Sequence, residues 1–124
     1  MKTKLLILGL AFLVLAGCAT SSSYVSYTYQ QFAPKDKYYT VDVYPASQTM
    51  GTVRPYYVIG KVSVEGFASD GATPAMLTSQ AQKIARHKGA DAIINAKTMS
   101  YRYYYYGDAL LRFTGQLIVY THQK

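Results

Sequence analysis

Few residues of this chain have the types and spacing that chemistry requires. Ser69-Asp70, set between Gly66 and Gly71, is the one local grouping of a nucleophile type with an acid. Acyl transfer through serine also needs a base beside the hydroxyl and a group that orients the base. No Gly-x-Ser-x-Gly elbow surrounds Ser69, so the expected reading is a glycine turn closed by short side-chain-to-backbone hydrogen bonds. A metal centre needs three or four converging ligands, and the chain offers His87, His122 and six scattered carboxylates without close spacing. No glycine-rich loop of the phosphate-cradling kinds occurs. The expectation is a non-enzymatic chain with no catalytic residues, no metal and no cofactor. Tyrosine is the remaining feature. Tyr101, Tyr103, Tyr105 and Tyr120, together with Arg112, form the candidate interaction surface, because Tyr and Arg are over-represented among binding hot spots.

Cys18 is the only cysteine, so no intrachain disulfide is available. Met1-Lys2-Thr3-Lys4 supplies a basic start, and Leu5 to Leu15 is a run of eleven apolar or glycine residues. Ala16-Gly17-Cys18 then leads into polar Thr20-Ser21-Ser22-Ser23. This is the layout of a secretory leader. Crossing about 30 Å of hydrocarbon takes roughly 20 apolar residues, so the run is too short to span. Leu15-Ala16-Gly17-Cys18 resembles the lipobox of bacterial lipoproteins. The resemblance implies diacylglycerol on the Cys18 sulfur, cleavage between Gly17 and Cys18, and acylation of the new amino terminus. Two or three acyl chains, at about 0.8 kcal/mol per buried methylene, hold a protein stably at a membrane. Ala19 after the cysteine, in place of Asp, implies by the same resemblance the periplasmic face of the outer membrane, with the inner membrane as the alternative.

Loss of residues 1–17 would leave 107 residues, enough for one domain. The expected division is a leader over 1–17, a lipidated amino terminus and tether over 18–37, and a single domain over 38–124. With Lys2 and Lys4 removed, the net charge falls from +7 to +5. Such a surplus favours anionic neighbours: lipid head groups, cell-wall carboxylates or acidic partner surfaces. Export by the leader argues against nucleic acid. No sequence feature sets the oligomeric state. The chain has fourteen Tyr and no Trp, a bias that suits strands and half-wet surfaces where a ring is buried and its hydroxyl stays in water.

Residues 21–31 lack a sustained apolar face and read as an extended tether, although Tyr24, Tyr27 and Tyr29 could dock on the domain or rest at the lipid interface. Tyr39 to Tyr44 alternates at period two and stops at Pro45, which predicts a short edge strand. Tyr56 to Glu65 predicts a second strand at the sheet centre, with Tyr56, Val58, Gly60, Val62 and Val64 sharing one face. Thr73-Pro74 opens a helix that runs to about Lys88, with Leu77, Ala81, Ile84, Ala85 and Lys88 in one stripe and Gly89 closing it. Asp91 to Tyr106 and Ala109 to His122 form a hairpin about Gly107-Asp108, with Tyr106 opposite Ala109. Ile94, Ala96, Leu111, Phe113, Gly115, Leu117 and Val119 should face the helix. Met99, Tyr101, Tyr103 and Tyr105, with Leu110, Arg112, Thr114, Gln116, Ile118 and Tyr120, should share the other face. A right-handed helical crossover should pair the second and third strands in parallel. The predicted fold class is α+β: a mixed sheet of about four strands (ββαββ), one helix on one face and a long C-terminal hairpin.

The order Pro55-Tyr56-Tyr57-Val58-Ile59-Gly60-Lys61-Val62, then a helix ending Ala85-Arg86-His87-Lys88-Gly89-Ala90-Asp91-Ala92-Ile93-Ile94, then a hairpin, resembles a small α/β module of bacterial envelope proteins. These include the heavy-metal-binding (YbjQ-type) domains and the lipoprotein sensor of the Rcs stress pathway. The likeness covers roughly residues 40 to 121 and implies fold more than function. It also implies the alternative role of a small-ligand or metal-sensing domain, yet this chain lacks the cysteines that would build disulfides or bind a soft metal. The leading expectation is a membrane-anchored periplasmic lipoprotein that works as a non-enzymatic binding or assembly module, its partner an envelope protein or a cell-wall component.

Overall fold

The computed structural model describes residues 20–46, 55–103 and 108–121, with Tyr103 described by its backbone alone. The leader, Cys18, Tyr105 and His122 lie outside the described residues. Strands β1 (Ser21–Ser26), β2 (Asp42–Pro45) and β3 (Tyr56–Phe67) are followed by a 3-10 turn (Ala68–Asp70), helix α1 (Pro74–His87), β4 (Ala92–Tyr103) and β5 (Asp108–Tyr120). The class is α+β, with one helix packed on a mixed sheet. That sheet has five strands in the order β1-β3-β5-β4-β2.

The fifth strand comes from the expected tether. Ser21–Ser26 pairs antiparallel with β3, Ser21 opposite Glu65 and Ser26 opposite Gly60. The segment has no apolar face of its own, and one ring holds it in place. Tyr24 lies over Gly60, where any Cβ would clash with the phenol oxygen and the ring carbons beside it. Its hydroxyl donates to the Ile59 carbonyl at 3.3 Å, and the Tyr27 amide donates to the same oxygen at 2.9 Å. Burial pushes the Tyr24 phenol above its ordinary value, ahead of the opposing effect of Ser26.

The expected parallel pairing of β3 with β4 does not occur. Both strands pair antiparallel with β5, which lies between them as the true centre, so the helical crossover passes over β5. The parallel pair is β2 with β4 at the far edge. The hairpin register also differs from expectation. Tyr103 faces Asp108, so residues 104–107 connect the strands and Asp108 belongs to β5. The shift is four residues, an even number, so the expected faces survive it near the hairpin.

Two bulges change those faces farther along. Ile59 is extra between the pairs Val58–Ile118 and Gly60–Leu117. Tyr56 and Val58 therefore point away from the helix, whereas Ile59, Val62 and Val64 face it. On β4 the register slips between Ile94 and Lys97, and Asn95 takes a left-handed conformation with φ 53°. Asn is among the few residues with a side chain that tolerate this region. The slip turns Ile93 and Ala96 toward the helix and Ile94 to the opposite face.

Helix α1 forms as predicted. Thr73 accepts from the Met76 amide at 3.2 Å, and Pro74 occupies the first turn. At the other end Gly89 (φ 78°) donates to Arg86 and Ala90 donates to Ala85, the paired bonds of a Schellman closure. Leu77, Ala81 and Ala85 are buried. The two alanines let the helix lie close over the larger sheet residues Ile59, Val62, Ile93, Phe113 and Leu117. A smaller cluster of Ala92, Ile94 and Ile118 forms on the outer face beneath Tyr44, Tyr56, Val58 and Tyr120.

If Tyr24 clamps β1 through the space above Gly60, Gly60→Ala should cost about 1–3 kcal/mol by overpacking. The cost should shrink when Tyr24→Ala is added. Denaturant midpoints of the two single variants and the double variant measure that coupling, and strict additivity would exclude the clamp.

Candidate functional site

Residues 27–41 cross from β1 to β2 as a strap over the C-terminal end of α1, and its local turns are encoded in sequence. Ser26 donates to Thr28 O at 2.7 Å and Thr28 Oγ1 accepts from the Gln30 amide at 3.1 Å. Asp36 Oδ1 accepts from the Tyr38 amide at 3.0 Å. Three longer contacts seat the strap. The Lys35 amide donates to the Arg86 carbonyl at 2.8 Å, one of the helix-end oxygens. Gln82 Nε2 donates to the Val41 carbonyl at 2.9 Å. Phe32 and Ala33 lie against Gly89, where a Cβ would meet the Ala33 oxygen at 2.6 Å.

Asp91 locks this arrangement. One carboxylate oxygen takes the Lys35 ammonium at 2.9 Å and the Tyr39 hydroxyl at 3.4 Å. The other accepts the Tyr120 amide at 2.8 Å, while the Asp91 amide itself donates to Ile118. Burial raises the Asp91 carboxyl, but the Lys35 hydrogen bond, the Tyr120 amide, the Lys35 charge and the Tyr39 hydroxyl outweigh it and hold the group below its ordinary value. The strap, the start of β4 and the end of β5 thus meet at one carboxylate.

The strap leaves two open grooves that share Pro34, His87 and Lys88. One, of about 580 Å³, is lined chiefly by Tyr24, Thr28, Tyr29, Gln30, Gln31 and Phe32. The other, of about 450 Å³, runs along the helix between Lys35, Lys37, Lys83, Ile84 and Arg86. Tyr29 is fully exposed. The Lys88 ammonium lies 5.0 Å from the Tyr24 ring centre. Among the described residues, Lys37, Lys83, Arg86 and Lys88 have no carboxylate within ion-pair distance.

The sequence-predicted surface is only partly assembled. Arg112 sits 5.1 Å from the Tyr101 ring centre, and its Nε donates to Glu65 at 2.9 Å. Glu65 and Met99 are its direct partners on the neighbouring strands, so Arg112 is tied into the sheet. Tyr103 is on β4 with its side chain undescribed, and Tyr105 lies outside the described residues. Tyr120 does not join the patch. It stands eight residues along β5 from Arg112, roughly 26 Å at about 3.3 Å per residue, and it covers the small outer cluster.

Ser69 is likewise accounted for structurally. Its hydroxyl donates to Asp108 at 2.5 Å and its amide to the same carboxylate at 3.1 Å, joining the 3-10 turn to the base of the hairpin. The Ser69 hydroxyl chiefly, helped by the amides of Ser69 and Ala109, holds Asp108 below its ordinary value against the opposing effect of desolvation. His87 is at the far end of the helix from Ser69. Among the described residues no three His, Cys, Asp or Glu side chains converge as metal ligands, and no helix is long and apolar enough to cross a membrane.

Fold and strap define a small α+β unit with an open, cation-rimmed groove. Neither a family model nor a curated protein matches the chain. Among solved structures it is similar to the crystal structure of the Francisella virulence factor FvfA, orthorhombic form. The TM-score is 0.55 at 20% identity, covering 77% of this chain and 96% of that one. At this identity the likeness shows the fold.

Because the folded Asp91 value lies below the unfolded one, its stabilisation is complete above about pH 4 and is lost as pH falls through the folded value. Hydrogen-exchange protection factors of residues 28–41, relative to the intrinsic rate at each pH, should therefore fall as pH drops below about 4 and protonation removes the Lys35 pairing. Asp91→Asn should show the loosened strap already at neutral pH, with stability lower by about 1–3 kcal/mol. Protection factors independent of both pH and this substitution would show that Asp91 does not hold the strap.

Proposed function

We propose that the protein is a membrane-tethered, non-enzymatic binding module of the bacterial envelope, anchored through lipid on Cys18 and recognising its partner with the strap side of the domain. The strap groove is the observation that carries this reading. It is concave and within the 300–1,000 Å³ range of ordinary ligand sites, and it brings together aromatic side chains, amides and cations. The Glu65–Arg112–Tyr101 cluster is a weaker candidate, because its cation is already paired within the sheet.

The anchor supplies the orientation. Cys18 precedes Ser21 by three residues, a reach of about 10 Å at most. Ser21 pairs with Glu65 near the hairpin end, while Ser26 leads into the strap at the opposite end. A lipid-bound chain so short ties the hairpin end of β1 near the bilayer, and the groove opens at the strand's other end.

Metabolic labelling with a clickable palmitate analogue should mark the wild-type protein and leave Cys18→Ser unmarked, and the variant should move from the membrane to the soluble fraction. An unlabelled wild type, or a variant still sedimenting with membranes, would contradict the anchor.

A further inference from the structure

The two grooves that meet at Pro34, His87 and Lys88 differ in chemistry, and the difference identifies a ligand class. The first presents chiefly rings, amides and hydroxyls, with Tyr29 fully exposed beside Gln30, Gln31 and Thr28, and Lys88 is its one Lys or Arg. Such groups exchange hydrogen bonds with ligand hydroxyls in both directions, because amides and hydroxyls donate and accept. The exposed Tyr29 ring offers an apolar face to a saturated ring. The second groove is a row of cations, Lys37, Lys83, Arg86 and Lys88, above the aliphatic Ile84. None of these four faces a carboxylate among the described residues. Clustered like charges repel one another, and an anion that binds there relieves the repulsion.

We infer that the strap trough binds an anionic glycan of the cell-wall type, with sugar rings in the Tyr24–Tyr29–Gln31 groove and the attached carboxylates along Lys83, Arg86 and Lys88. The ligand class deepens the binding-module reading proposed above and rests on it. An acidic protein segment fits less well, because the first groove offers mainly rings, amides and hydroxyls, with Lys88 its one Lys or Arg. A flat head-group layer also fits less well. It would not enter a concave site, and the proposed anchor precedes Ser21, at the end of β1 opposite the one that leads into the strap.

Two pairs of exposed or half-exposed residues separate the two halves of the trough without touching the core. Lys83→Glu with Arg86→Glu reverses two charges of the cationic row and cancels its net charge, and Tyr29→Ala with Gln31→Ala strips the sugar side. Circular dichroism of each double variant should match the wild type.

Co-sedimentation of the mature protein with purified, insoluble peptide-crosslinked cell-wall glycan is the test. The wild type should pellet. The charge-reversed variant should lose about tenfold or more in apparent affinity, and binding should weaken as salt rises toward about 0.5 M. Loss of Tyr29 and Gln31 should weaken binding severalfold, with the salt dependence unchanged. Glycan whose carboxylates have been amidated should bind the wild type as poorly as native glycan binds the charge-reversed variant.

No sedimentation, or equal sedimentation of wild type and both variants, would overturn the proposal. So would stronger binding to vesicles of phosphatidylcholine and phosphatidylglycerol or to polyglutamate than to glycan. The assay does not depend on acylation. An unlabelled protein that still pellets with glycan would sink the anchor alone, and a palmitate-labelled protein that ignores glycan would sink this inference alone.

Discussion

The structure depends on one partly buried carboxylate. Asp91 stands where helix α1 has ended and β4 begins, and it must satisfy a backbone amide from the end of β5 while facing a lysine from the strap. An uncompensated charge in that setting would be costly. The four interactions around Asp91 offset that cost, which is why the carboxyl is held ionised despite burial. The same contacts close residues 27–41 across the helix end. Without that closure the trough would have no second wall, since Pro34, Lys35 and Lys37 belong to the strap and Lys83, Arg86 and His87 to the helix.

Around this point the sheet makes two adjustments that a regular ladder would not need. The bulge at Ile59 frees a carbonyl on β3, and β1 and the strap supply the donors through Tyr24 and Tyr27. The bulge at Asn95 turns Ile93 into the core and Ile94 out of it. Both lie on strands flanking β5, so the central strand stays regular while its neighbours bend around it. The edge strand β1 is thereby attached at the bulge as well as by its ladder bonds.

Local encoding was readable and long-range encoding was not. Thr73, Pro74 and Gly89 set the helix ends through contacts within a few residues, and these match the prediction closely. The alternation of β4 and β5 revealed two strands and, between hairpin and bulge, the right faces. Gly107-Asp108 suggested a two-residue turn, but the Asp108 carboxylate is committed to Ser69, thirty-nine residues away, and the residue opens β5 instead. Neither bulge is visible in period-two patterning, because each is a slip against a partner strand. The five-strand sheet was missed for a related reason. Ser21–Ser26 has no apolar face, and the only hint that it docks is a tyrosine whose receiving site is a glycine thirty-six residues later. Of the expected interaction surface, Tyr101 and Arg112 do meet, while Tyr120 serves the outer cluster. The strap site was hidden because Lys35 and Asp91 come together only in the fold.

The trough as a whole is a surface of two chemistries, the rings and amides supplied by β1 and the strap, and the cationic row supplied by the end of α1 together with Lys37 of the strap. The proposed glycan binding requires both to be engaged by one molecule. Amide and side-chain NMR shifts on titration with a soluble disaccharide-peptide fragment of cell-wall glycan report this directly. Perturbations should fall on Thr28 to Phe32 and on Lys83 to Lys88 together, saturating along one binding curve. Shifts confined to Tyr101 and Arg112, or two groups of shifts with separate curves, would contradict a single anionic-glycan site beneath the strap.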